Sequence, residues 1–193
     1  MRLPRPFSFP APFSARDGAF ERAIQQLRNG RIAESAYGQR VALVLTIPTF
    51  DDPVARDIRR NARGELYVVR TVWRRALDVG SKQAAYGASA GLRPFMIGVD
   101  LPGRPTLVST QVPVDVPALD SLLATLAMTT VTCQTSQPDP PLDATVFELT
   151  FGEKLTEMRY RWAADPPGGW APLAAFAVRL IRLVDEPARA PAR

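Results

Sequence analysis

Apolar residues recur along this chain with two spacings, and the changes from one to the other divide it into elements. Phe20, Ala23, Ile24 and Leu27 stand three or four positions apart, after Ser14 and Asp17, which approximate a capping box, and before Asn29-Gly30, a left-handed stop. This predicts a first helix over about 15–28. The stretch "RVALVLTIPTF" is β-rich and ends at Pro48 and the turn residues Asp51-Asp52-Pro53. "VARDIRR" and "ELYVVRTVWRR" flank Asn61-Ala62-Arg63-Gly64, a loop of hairpin length. Alternation divides the later of these strands into a Tyr67, Val69, Thr71, Trp73 face and a Leu66, Val68, Arg70, Val72, Arg74 face, and the first is expected to meet the core.

A small-residue, Gly-rich run, "DVGSKQAAYGASAGLRP", reads as a loop. "PFMIGVD" and "PTLVSTQVPV" around Leu101-Pro102-Gly103-Arg104 predict another hairpin. Asp115 then caps a helix that tolerates Pro117 in its first turn, carries Val116, Leu119, Leu122, Leu123 and Leu126 as its stripe, and ends near 128. In "TVFELTF" the residues Phe147, Leu149 and Phe151 share one face. In "EMRYRW" Met158, Tyr160 and Trp162 do the same. The opposite face carries Glu148, Thr150, Glu157, Arg159 and Arg161 and is expected to be wet or covered by a partner. The last helix, "WAPLAAFAVRLIRLVDE", is apolar around most of its circumference and needs burial along most of its surface. Pro166-Pro167-Gly168-Gly169 would fold it back over the hairpin, with Trp162 pointing into the interface and Trp170 clamping the helix entrance.

These elements predict an α+β fold: one mainly antiparallel sheet of about six or seven strands, its helices packed chiefly on one face. The first helix is expected at an edge or on a partner. Residues 14–187 would form the single domain, preceded by a Pro/Phe-rich arm over 1–13 and followed by a solvated tail over 188–193. Pro4, Pro6, Pro10 and Pro12 favour an extended path for the arm, and they interrupt what would be the apolar region of a signal peptide. No segment reaches the roughly 18–20 apolar residues that cross a bilayer, so a cytoplasmic protein is expected.

Composition narrows the chemistry. The 193 residues contain no histidine and a single cysteine, Cys133. Histidine-dependent catalysis, His-ligated metals, internal disulfides and Cys-cluster metal sites are therefore excluded within this sequence. "GASAG" at 87–91 matches the G-x-S-x-G elbow in letters, but it lacks a preceding strand and a histidine, and Pro94 blocks the following helix. Ser81 and Lys82 are adjacent on a loop and point apart. Asp51, Asp52 and Asp57 lack the spacing of a calcium loop. No catalytic residue, cofactor or metal is expected.

The net charge of +5 is carried almost wholly by arginine, Lys82 and Lys154 being the only lysines. It is either the abundance of Ala, Pro and Arg typical of GC-rich coding or a basic surface for an acidic partner. Arg59, Arg60, Arg63, Arg70, Arg74 and Arg75 concentrate on two strands and their loop, the candidates for a phosphate-binding face on nucleic acid. Phe7, Phe9, Phe13 and Trp170 are the candidate anchors for a protein partner.

Residues 40–184, through "DSLLATL", "FELTF", "RYRW" and "WAPLAAFAVRLIRL", resemble small bacterial α+β proteins of uncharacterised function. The build is also similar to that of immunity proteins, which neutralise bacterial toxins. The resemblance carries over no residue role; it is mostly the subtraction of the other chemistries that leaves non-catalytic recognition of another protein, in an immunity or assembly role, as the expected function. Nucleic-acid binding is the alternative, and a histidine-independent enzyme the second.

Overall fold

A strand that is apolar on both sides needs a cover on both sides, and β1 (Gln39–Ile47) is such a strand: Ala42 and Val44 point one way, Leu43 and Leu45 the other, and all four are buried. In the computed structural model, which describes residues 18–29, 38–75, 77–78, 105–131, 144–152, 156–163 and 165–186, β1 lies in the middle of a six-stranded antiparallel sheet. The other strands are β2 (Val54–Arg60), β3 (Leu66–Trp73), β4 (Leu107–Val112), β5 (Val146–Phe151) and β6 (Met158–Ala163), in the order β4-β3-β2-β1-β5-β6. The β2–β3 turn falls at Asn61-Ala62-Arg63-Gly64 as predicted. Gly64 adopts φ +84°, and the Asn61 side chain accepts hydrogen bonds from the Arg63 and Glu65 amides. The strand expected over 95–100 lies outside the described residues.

The first cover is made by α2 (Val116–Ala127) and α3 (Ala171–Asp185). Asp115 caps α2 by accepting from the Ala118 amide at 3.1 Å. A 3-10 turn over Gly168–Trp170 turns the chain into α3, whose Leu173, Phe176, Ala177, Leu180 and Val184 form the buried stripe. These pack on Val44, Ile58, Val68 and Leu149. Phe147 and Trp162 are direct partners across β5 and β6 and stack at 5.8 Å. Tyr160 meets the edge of Trp170 at 5.3 Å. Trp162 is thus inside the sheet–helix interface, and the β6 hairpin closes against the last helix as its pattern predicts.

The second cover departs from expectation. α1 (Gly18–Asn29) lies across the opposite face, not at an edge, with Ala23, Ile24 and Leu27 buried on Leu43, Leu45 and Trp73. Phe20 packs on the Trp73 ring at 5.4 Å. The face of Tyr67, Val69, Thr71 and Trp73 is therefore the one beneath α1, while Leu66 and Val68 meet the larger core under α2 and α3. Alternation separates two faces but does not say which core is larger when both are covered. The expectation of a wet face on β5 also fails: Glu148 and Thr150 are buried. Of the polar residues on this side of the hairpin, only those of the edge strand β6, Arg159 and Arg161, and Glu157 just before it are exposed.

The two indoles differ in what they hold. Trp162→Ala is expected to cost about 3–5 kcal/mol of stability, because it opens a cavity in a filled core. Trp170→Ala, at a half-buried ring at the margin of the core, should cost about 1–2 kcal/mol. Urea denaturation of the two variants measures both.

Candidate functional site

Beside α3 the first cover is incomplete. The buried stripe of α3 occupies one face of the helix, and Val178 and Ile181 flank it, over the end of β1 and β5 where the sheet is no longer roofed. The result is an open groove of about 380 Å³, floored by Pro48 and Phe147 and walled by Val178 and Ile181. The Thr46 hydroxyl on its floor is already satisfied. Thr46 donates its hydroxyl to the Val54 carbonyl and accepts from Arg56 Nη1 at 3.2 Å, so the groove offers an apolar surface. Val178 is 41% exposed within it. Arg182 stands at the rim, and no ion pair engages it among the described residues.

One end of the groove is set by an ion cluster. Arg56 and Arg70 are direct cross-strand partners on β2 and β3, a placement in which like charges repel. Asp185, in the last turn of α3, lies between them: its carboxylate accepts from Arg56 Nε and Nη2 and from Arg70 Nε at 3.2 Å. Arg56 is only 4% exposed, and a guanidinium buried that deeply is costly unless a carboxylate pairs with it. Burial works to raise the Asp185 carboxyl, but the hydrogen bond and charge of Arg56, followed by those of Arg70, outweigh it and hold the group below the usual carboxylate range.

The six arginines read from the sequence do not form one surface. Arg59 is 3% exposed, under α1, where Nε donates to Asp57 at 2.8 Å. Arg60, on the other face, donates to the Gly64 carbonyl, and Arg63 lies exposed at the hairpin tip. Arg70 is engaged by Asp185 and Arg74 by Asp52, the latter at 3.5 Å. Arg75 donates to the carbonyls of Pro48, Thr49 and Asp51 and stitches the β1–β2 loop to the end of β3. Burial draws its pKa below the usual value, against the opposing pull of Asp52 and Asp51. The six are thus divided between both faces and both ends of the sheet, and several serve the fold.

Among the candidate anchors, Trp170 is half-buried against Tyr160, and Phe7, Phe9 and Phe13 lie outside the described residues. Among the groove residues, sequence reasoning reads Phe147 only as part of an apolar strand face and does not single out Val178 or Ile181. The signal for Val178 and Ile181 is the apolar circumference of the last helix, wider than one sheet face can cover. Asp51, Asp52 and Asp57 do not converge, since Asp57 faces Arg40 and Arg59 on the sheet while Asp52 holds the Arg75 amide in the loop. Among the described residues no helix is long and apolar enough to cross a membrane.

Asp185→Asn tests the cluster. It leaves buried Arg56 without a carboxylate, and because Asp185 keeps 30% exposure the loss should be about 2–3 kcal/mol, below the 3–5 of a fully buried pair. The folded-state pKa lies below the unfolded one. The contribution is therefore complete above the ordinary carboxylate range and is lost as the pH falls through the folded value. Denaturation curves of the two proteins should differ at neutral pH and draw together below about pH 4.

No protein-family model, curated protein or solved structure matches the chain.

Proposed function

We propose that the protein is a non-catalytic binding module that holds another protein by seating an apolar side chain of an acidic segment in the groove beside α3. The observation that carries this reading is the groove itself: an apolar floor beside a satisfied Thr46 hydroxyl, an exposed Val178 and, at its rim, an Arg182 that no ion pair engages among the described residues. Exposed apolar surface rimmed by charge is the usual form of a recognition site. The charge selects the partner, because Arg182 and the exposed Arg179, in a chain of net charge +5, favour an acidic segment. Recognition is favoured over turnover because the buried Arg56 at this face is committed to the Asp185 carboxylate. An immunity or assembly role fits such a module. The dispersal of the six arginines supports this reading over nucleic-acid binding.

A photo-crosslinking residue placed at Val178 identifies the partner in cells, and purified components then give the affinity. Val178→Asp is tolerated by the fold at an exposed site and should weaken binding at least about tenfold, as expected for charge in an apolar contact. Arg182→Glu should weaken it further and reduce its salt dependence. A partner whose affinity ignores both substitutions would remove the groove from the proposal.

A further inference from the structure

A second pocket, of about 260 Å³, opens on the opposite face between the last turn of α1 and strands β1, β5 and β6. Strand register builds it. Asp57, Leu43, Thr150 and Arg159 are neighbours in one row across β2, β1, β5 and β6. Arg40 joins them only through a β-bulge: the pairing of β1 with β2 shifts between Arg40 and Ala42. Under strict alternation Arg40 would share the face of Ala42 and Val44. The extra residue turns it over, and its guanidinium reaches Asp57 with bonds of 2.8 and 2.9 Å.

Two buried carboxylates then hold four guanidinium groups. Glu148 takes Arg28 at 2.8 and 2.9 Å and Arg159 at 3.5 Å, while Asp57 takes Arg40 and Arg59. With Glu157 at the mouth, four arginines face three carboxylates, an excess of one positive charge. Arg159 is the least committed, half-exposed, with contacts of 3.5 Å to Glu148 and Glu157. Thr150 lines the same pocket at 2% exposure, and its hydroxyl has no hydrogen-bond partner among the described residues. A buried donor left unpaired is costly and calls for an acceptor.

We propose that this pocket binds a phosphate group, either the free ion or the head of a small phosphate monoester. A compact anion with several acceptor oxygens matches converging guanidinium forks and a hydroxyl donor, and carboxylates beneath the forks keep them in place before the ligand arrives. Two features oppose it: Glu157 at the mouth and the last turn of α1, whose carbonyls carry a partial negative charge of about half a unit. Affinity is therefore modest, and removing Glu157 improves it. This site is separate from the groove beside α3 and does not depend on its occupant.

Calorimetric titration of the full chain at low ionic strength, with inorganic phosphate in one arm and free phosphoserine in the other, tests the proposal. Saturable one-to-one binding of at least one probe is expected. Arg159→Ala and Thr150→Val should each weaken it about tenfold. Glu157→Gln should tighten it severalfold, a gain that misfolding cannot imitate, and Arg63→Ala at the distant hairpin tip should leave it unchanged. Tighter binding of the ester assigns the site to phosphorylated small molecules, and tighter binding of the free ion assigns it to phosphate itself. No saturable binding of either probe, or binding indifferent to the substitutions at 150, 157 and 159, overturns it.

Discussion

A carboxylate that is 1% exposed on the second strand from a sheet edge is costly to bury unless a cation pairs with it, and Glu148 is met by Arg28 of α1 through two parallel bonds. The arrangement of the second face follows from that pair. A helix of twelve residues is marginal in isolation, so α1 exists because it is docked. Burial of Ile24 and Leu27 contributes roughly 3–6 kcal/mol to docking, as an upper estimate. The ion pair adds little net energy compared with an apolar pair of the same volume. Its contribution is register: apolar contacts would tolerate several placements of α1, and only one puts Arg28 over Glu148.

The first face follows the same logic with the helix and sheet exchanged. There β2 and β3 bring Arg56 and Arg70 together, and α3 supplies the carboxylate, Asp185. Each face thus joins an apolar stripe, which gives the energy, to a guanidinium–carboxylate contact, which fixes position. Where those contacts end, the surface opens: the apolar groove begins beside Asp185, and the arginine pocket lies beside Arg28 and Glu148. The two openings differ in chemistry because the groove is lined mainly by Pro48, Phe147, Val178 and Ile181, while the pocket is lined by guanidinium groups and Thr150.

Much of the fold was legible in the sequence because its signals are local. Asp115 before Val116, the Asn61–Gly64 turn, and the alternation of Phe147, Leu149 and Phe151 each follow from residues within one turn or strand. What was not legible depends on contacts distant in sequence. Glu148 and Thr150 read as a wet face, because nothing near them announces that Arg28, 120 residues earlier, covers them. Arg40 could not be assigned to the face of Leu43, because a bulge inverts alternation without a glycine at the site to mark it. The six arginines were grouped by proximity in sequence, whereas pairing sends Arg59 under α1 and Arg70 toward α3.

The claim that the Arg28–Glu148 contact sets the placement of α1 is tested most directly by a double-mutant cycle. Arg28→Met, Glu148→Met and the double variant would be compared with the native protein by urea denaturation at neutral pH. Each single substitution strands a largely buried charge, and the double one leaves two apolar side chains in its place. The double variant is expected to lose at least about 2 kcal/mol less than the sum of the singles. Costs that simply add would mean that the two side chains do not meet, and the placement of α1 described above would be wrong.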